Sequence, residues 1–410
     1  MKNKSAFCLF FLFVFSALLI FFKFTAIPKF LAYDEVEFTK LALSLGGKPY
    51  TPYSSLATGH STLYFYILLL SLKMFGINTF ALRLPAAVFG VLSVVVFYLV
   101  VKTIFRQKYL PFILTVLFLT SRWFINFSRF AFEATFLLFL ELTSIYFFLK
   151  AKSNIYLIIS GLLAGLAYNS YTPGRIFFIL PLSFFVIKLV SSLIHKQFKT
   201  ETLKRFFIFF IPFLITITPL TLALSNSKET RIDQLFFWRN HEMTIGQKTN
   251  GTIQNFVSIT SMFFLKGDMN GKHNYPGKPA LNPILGFLFV VGFIASLKKW
   301  RTKENQLFLI FLFLSLAPSV PIYPWENPSM LRTFTVIPSL VYFIGIAISF
   351  ISKKANSKYL YLVLLLLALS SFYELRTYFK YQKTVFEQSF EIKYPLEKAV
   401  KMANPYEKSP

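Results

Sequence analysis

The chain has 410 residues, 55% hydrophobic and 19% aromatic with 54 Phe, and a formal charge of +26 from 43 basic and 17 acidic residues. Repeated long apolar runs and a mean hydropathy of +0.57 exclude an ordinary soluble domain and describe a polytopic helical membrane protein. The single cysteine, Cys8, excludes a disulfide framework and a thiolate metal site. Lys and Arg fall in short clusters between apolar runs, the pattern of membrane orientation and not of nucleic-acid binding.

The first apolar run, 6–24, is longer than the roughly 7–15-residue core of a signal peptide, so an uncleaved transmembrane helix is expected there. Further runs follow at 62–76, 84–101, 109–124, 130–149, 155–169, 176–194, 206–225, 284–297, 307–320, 333–351 and 359–373. Counting all of them as spans places the basic clusters on opposite sides of the bilayer. The segment 61–75 is the exception in length: as a helix it reaches roughly 22 Å, short of a hydrocarbon core of roughly 30 Å.

Laid flat on the outer surface, it leaves about 11 spans. It also brings Lys2/Lys4, Lys102–Lys108, Lys150/Lys152, Lys196–Arg205, Lys298–Lys303 and Lys353–Lys358 together on the cytoplasmic side. The expected fold is therefore an all-α polytopic domain over 1–373, with interfacial helix in the first outer loop. Outer loops 25–83, 226–283 and 321–332 would form its working face, beside the short turn 122–129 and an extracytoplasmic tail, 374–410.

That face carries the residues suited to chemistry. Asp34, Glu35 and Glu37 follow the first span and open an amphipathic stretch (Phe38, Leu41, Ala42, Leu45), where exposed N–H groups favour carboxylates. The plain alternative is a helix N-cap. Arg129 and Glu133 lie four apart, hence on one helix face, or else form a local snorkelling pair. Tyr171 and Arg175 sit in Tyr168-Asn-Ser-Tyr-Thr-Pro-Gly-Arg175, where Pro-Gly marks a helix break. The long loop holds Asp268 and His273 in a polar, Gly-rich segment suited to an anion, or simply to solvent. Arg332 adds a cation at the same surface, and Glu141 is an acid inside an apolar run. Walker, HExxH and GxSxG motifs and Cys/His clusters are absent from the sequence, so nucleotide hydrolysis, zinc proteolysis and hydrolase triads have no support.

The order of these features is more specific than any one of them. Asp34-Glu35 after the first span precedes Gly59-His60, Phe75-Gly76 and Leu82-Arg83-Leu-Pro85; later come Ser128-Arg129-Phe-Ala-Phe-Glu133, Gly267-Asp268-Met-Asn270 and Leu331-Arg332-Thr-Phe. Over roughly 6–350 this resembles the GT-C superfamily of membrane glycosyltransferases, in the group of protein O-mannosyltransferases and lipid A aminoarabinose transferases, nearest its bacterial mannosyltransferase-like members.

The resemblance implies sugar transfer from a polyprenyl-phosphate donor to a lipid, glycan or protein acceptor at the extracytoplasmic face of a bacterial-type plasma membrane. It implies Asp34 as general base with Glu35 in support, and cations for the departing phosphate, with Arg129, Arg175, His273 and Arg332 as candidates. His60 stands where the aminoarabinose transferases carry a Lys, without their Pro-Pro. Glu133, Tyr171 and Asp268 complete the expected substrate contacts. On cofactors the resemblance is divided, since some members hold a divalent cation with this acidic region and others do without.

Two other classes stay open on the sequence. A secondary transporter or lipid flippase would show repeat symmetry and broken spans near the midplane. A lipid-diphosphate-dependent polysaccharide polymerase or ligase would rely on loop cations without the acidic pair.

Overall fold

The computed structural model describes residues 2–195, 200–227, 231–354 and 357–402. Of the orienting basic clusters, Lys2/Lys4, residues 196–199 and all of 353–358 lie outside the residues whose side chains are described, as does the tail beyond 402.

Every apolar run becomes helix. The first half of the chain forms α1 (Lys2–Phe21), α2 (Tyr33–Ser44), α3 (Leu63–Phe75), α4 (Thr79–Ile104), α5 (Leu110–Thr120), α6 (Arg122–Phe127), α7 (Ala134–Leu149), α8 (Asn154–Tyr168) and α9 (Ile179–Ile194). The second half adds α10 (Thr200–Ser225), α11 (Arg231–Leu235), α12 (Ile245–Phe264), α13 (Pro283–Lys298), α14 (Lys303–Leu316), α15 (Ile337–Lys354), α16 (Ser357–Arg376), α17 (Lys383–Ser389) and α18 (Leu396–Lys401). Among the described residues the only sheet is a small ribbon in the first loop, β1 (Tyr53–Ser54) against β2 (His60–Ser61), antiparallel with Tyr53 opposite Ser61.

Among the described residues, five helical stretches are long and apolar enough to cross a bilayer alone: 79–104, 172–194, 200–225, 334–352 and 361–389. The other expected spans are shorter; α5, with 11 residues, reaches only about 16 Å. The segment expected to lie flat is the 13-residue α3.

Apolar helices gain little from hydrophobic burial against one another in lipid, so close backbone approach and interhelical hydrogen bonds hold them. Both are present. A side chain at Gly161 of α8 would stand 2.2 Å from the Phe209 carbonyl of α10, and one at Gly292 of α13 would stand 1.7 Å from the Phe343 carbonyl of α15. Between α7 and α8, each of Ser144 and Ser160 donates to the other's carbonyl at 2.9 Å. Thr135 of α7 donates to the Ala86 carbonyl of α4 at 2.9 Å. Glu141, inside α7, is buried and hydrogen-bonded to Thr335.

The tail corrects the expected boundary at 373. Helix continues through a wider, π-type stretch at Thr377–Gln382 into α17, so a division at 373 would cut one continuous rod. The chain then returns to the first loop, where Leu31 and Ile392 exchange backbone hydrogen bonds of 3.0 Å, with Phe390, Ile392 and Leu396 buried. The amphipathic α12 within loop 226–283 is a second element that no apolar run announced.

Gly292→Val should therefore lower the thermal midpoint of the purified protein sharply or prevent its assembly, whereas Gly246→Ala, exposed and with nothing closer than 4.0 Å, should leave it unchanged. Fluorescence-detected size exclusion after a temperature series reads the difference.

Candidate active site

The carboxylates after the first span part company in the fold. Glu35 is fully buried, and its Oε1 and Oε2 accept from Arg83 Nε at 2.7 Å and Nη2 at 2.8 Å. It also accepts from the backbone N–H of Ala32 at 3.1 Å and of Ala131 at 3.3 Å. Arg83 completes its own shell on the carbonyls of Pro28 at 2.6 Å and Phe30 at 2.8 Å. Glu35 is thus the buried fastener of α2 to α4, which corrects its expected place beside the substrate. Asp34, one position earlier and about 100° around the helix, is exposed and lines a large polar cavity.

That cavity, about 690 Å³, is walled by the first loop (Tyr33, Asp34, Glu37, Ala57, Thr58), the long loop (Asp268, Asn270, His273) and the 325–332 turn. Asp268 joins the last two: Oδ2 accepts from Met330 N–H at 2.8 Å and contacts His273 Nδ1 at 3.1 Å, while Oδ1 accepts from Asn270 N–H at 2.8 Å. At the rim, Ala57 and Thr58 hold φ of 53° and 68°. That region is disfavoured for Ala and more so for a β-branched residue, and such strain survives only where surrounding contacts impose it. Here the ribbon of β1 and β2 imposes it, with Thr62 N–H donating to the Pro52 carbonyl at 3.0 Å.

Next to the cavity runs an apolar groove of about 300 Å³, lined by Ile176, Ile232, Leu235, Phe236 and Pro318 among others, with Arg175 and Arg332 as its charged residues. Tyr171 and Arg332 belong to both spaces. Arg332 is held by Glu326 at the rim, Nη2 to Oε2 at 2.5 Å and Nη1 to the carbonyl at 3.0 Å. Arg175 donates to Ser61 Oγ at 3.4 Å, and its Nε is buried without an acceptor.

The structure therefore gathers Asp34, Tyr171, Asp268, His273 and Arg332 around one cavity, with Arg175 in the adjoining groove. Three other expected contacts lie behind the wall. Arg129 is fully buried and donates five hydrogen bonds of 2.6–3.2 Å to the carbonyls of Ile20, Phe22, Lys23 and Ile27, closing the C-terminal end of α1. Its guanidinium also lies over the rings of Phe24, Tyr378 and Phe379, and burial lowers its pKa from the ordinary value. His60 and Glu133 pair with each other, Nδ1 to Oε1 at 2.7 Å, both 3% exposed or less. These are structural positions, and the resemblance placed them at the substrate because it orders residues along the chain without orienting them.

Sequence reasoning missed Glu326, and also Arg122, whose buried guanidinium binds Glu374 at 2.7 Å and the long-loop carbonyl of Lys278 at 3.2 Å. Nothing local marks Arg122, whose partners lie 156 and 252 positions away, whereas Glu326 stands only six positions before Arg332. The donor set at Asp34 does not fit a chelated divalent ion. Glu35 is engaged by Arg83, and the described residues include no group of three or more His, Cys, Asp or Glu side chains suited to a metal.

Comparison with known proteins shows what the chain is similar to. A family profile described as dolichyl-phosphate-mannose-protein mannosyltransferase matches residues 59–216. Among solved structures, ArnT from Cupriavidus metallidurans bound to undecaprenyl phosphate superposes with a TM-score of 0.56 at 14% identity, over 92% of this chain and 76% of that one. AglB, the archaeal oligosaccharyltransferase from Archaeoglobus fulgidus in complex with an inhibitory peptide and a dolichol-phosphate, does so at 0.54 and 15%, over 94% and 56% respectively. No curated protein sequence matches.

The chain shares the fold of these two proteins.

In this fold, breaking the Glu35–Arg83 pair should cost about 3–5 kcal/mol, because it leaves a buried charge uncompensated. Glu35→Ala should thus lower the thermal midpoint in detergent by many degrees, whereas Asp34→Asn should leave it within about one degree of wild type.

Proposed function

We propose that the enzyme moves a sugar from a polyprenyl-phosphate carrier to an acceptor hydroxyl, with inversion, and that Asp34 is the general base. The observation that carries this reading is that Asp34 lines a polar cavity sharing Arg332 and Tyr171 with an apolar, cationic groove. The groove suits a polyprenyl chain ending in a phosphate, and the cavity suits the sugar and acceptor. The similar structures carry undecaprenyl phosphate and dolichol-phosphate, which supports the same class of carrier.

The chemistry follows from the charges. The acceptor oxygen attacks the anomeric carbon and its proton passes to the Asp34 carboxylate. The bond from that carbon to the phosphate oxygen breaks, and the electron pair leaves with the phosphate. Arg332 and Arg175 stabilise the growing negative charge. Arg332 sits at a rim pair with the 40%-exposed carboxylate of Glu326, a partner that a phosphate can replace at low cost. His273, oriented by Asp268, contacts the sugar or acceptor from the opposite wall. The strained Ala57–Thr58 rim presents backbone to the same space.

Asp34→Asn should reduce transfer by a factor of about 10²–10⁴, the range of a general base, with carrier binding unchanged. Arg332→Ala should instead raise the donor KM. Transfer assays with a defined polyprenyl-phosphate sugar, paired with binding of the bare polyprenyl phosphate, separate the two effects; full turnover by Asp34→Asn sinks the assignment.

We also propose the 11-span threading, with the cavity extracytoplasmic and α3 lying along the surface. Support comes from the cavity that the first loop, the long loop and the 325–332 turn line together, since a crossing α3 would put the first two on opposite sides of the bilayer. In a Cys8→Ser background, Asn270→Cys should be labelled by an impermeant maleimide from outside and Arg106→Cys only after permeabilisation. The reverse pattern overturns the orientation.

A further inference from the structure

A second groove, of about 480 Å³, lies on the other flank of the long loop, between the N-terminal end of α13, Tyr373 of α16 and the end of α12. It shares no lining residue with the polar cavity or with the cationic groove beside it. The same loop reaches both flanks: Asp268 to His273 face the cavity, and Lys278 and Pro279 face this groove. The two spaces therefore stand at the same end of the helix bundle.

The groove is built as a greasy slot with one cation at its head. Phe264, Leu281, Pro283, Phe287 and Val290 supply the apolar lining, and Lys278 is its single charged residue. The ammonium is aimed by two contacts, a 2.9 Å hydrogen bond to Thr377 Oγ1 and the face of the Tyr373 ring at 3.9 Å. An ammonium has three donors, so two stay available to a ligand. The nearby Glu374 does not neutralise it, because both carboxylate oxygens are engaged, by Arg122 at 2.7 Å and by Asn282 at 3.2 Å.

Around the slot the surface is that of a bilayer-facing protein. Phe287 is 68% exposed and Phe372 63%, with Ile294 and Leu369 also exposed along α13 and α16. An occupant thus arrives from the membrane with an apolar body and meets a fixed positive charge at the interface. Basic pockets between transmembrane helices suit anionic lipid head groups.

We propose that this groove binds an anionic phospholipid, with its phosphate at Lys278 and an acyl chain along the seam of α13 and α16. The loop carrying Lys278 is tied through Arg122 to α6, and its far end carries Asp268 and His273 into the cavity. Lipid at this site consequently braces the wall of the active site from behind, without touching the donor path.

The test is native mass spectrometry of the full chain released from nanodiscs of phosphatidylglycerol or phosphatidylcholine. Wild type should retain one phosphatidylglycerol in preference to phosphatidylcholine. Lys278→Met, which keeps the stem and removes the charge, should lower that retention about fivefold, the factor for one lysine at an anionic surface. Val290→Trp, which fills the slot and leaves Lys278 intact, should lower it as well. Arg332→Ala, a change in the proposed donor path, should not, so failure of the donor reading leaves this measurement unaffected. Equal retention of the two lipids by wild type, or undiminished phosphatidylglycerol on Lys278→Met, overturns the proposal.

Discussion

The site depends on the buried pair of Glu35 and Arg83. An ion pair inside a membrane-protein core is stable only when its leftover hydrogen-bonding capacity is met, because desolvation otherwise exceeds the Coulombic gain. Here the carboxylate takes two guanidinium and two backbone donors, and the guanidinium takes two carbonyls besides. Five chain segments meet on those two side chains: the 28–30 turn, the residue before α2, α2, α4 and the 131 turn. With Glu35 held inward, the rotation of α2 has no freedom left, and Asp34 must face the cavity.

Other buried arginines repeat the device. Arg129 gathers the carbonyls that α1 leaves unsatisfied at its end, and Arg122 gathers those of the long loop while bound to Glu374. Both act as crosslinks in a bundle whose helices also meet through small residues, serines and aromatic rings such as Phe89 on Phe136 and Phe308 on Tyr342. The cations left at the working face, Arg332 and Arg175, have weaker company: a rim carboxylate for one, a 3.4 Å serine contact for the other. Cations already wrapped in protein acceptors build the wall, and those with loosely held partners can take a ligand's charge.

The tail closes this arrangement. Phe390 lies under Arg83 at 5.8 Å, Ile392 pairs with Leu31, and Lys272 binds Glu391 at 2.7 Å. Residues from beyond the last long helix therefore clamp the two loops that carry Asp34 and His273. A stretch that reads as a polar appendage in one dimension is part of the scaffold in three.

Much of the fold was legible because hydrocarbon is an undemanding solvent to read against: an apolar run must become helix there to satisfy its backbone. The runs, the helix after the first acids, and the grouping of Asp34, Asp268, His273 and Arg332 at one end all follow from order along the chain. The amphipathic α12 was hidden because its polar residues broke the apolar count, and the tail because its contacts are long-range. What sequence alone determined was the set of apolar helices and the set of charges near their ends. Which charges face the cavity was decided only by tertiary structure. Asp34 and Glu35 differ by a rotation of about 100° on one helix, and the residue that chooses between them, Arg83, lies 48 positions from Glu35 in sequence.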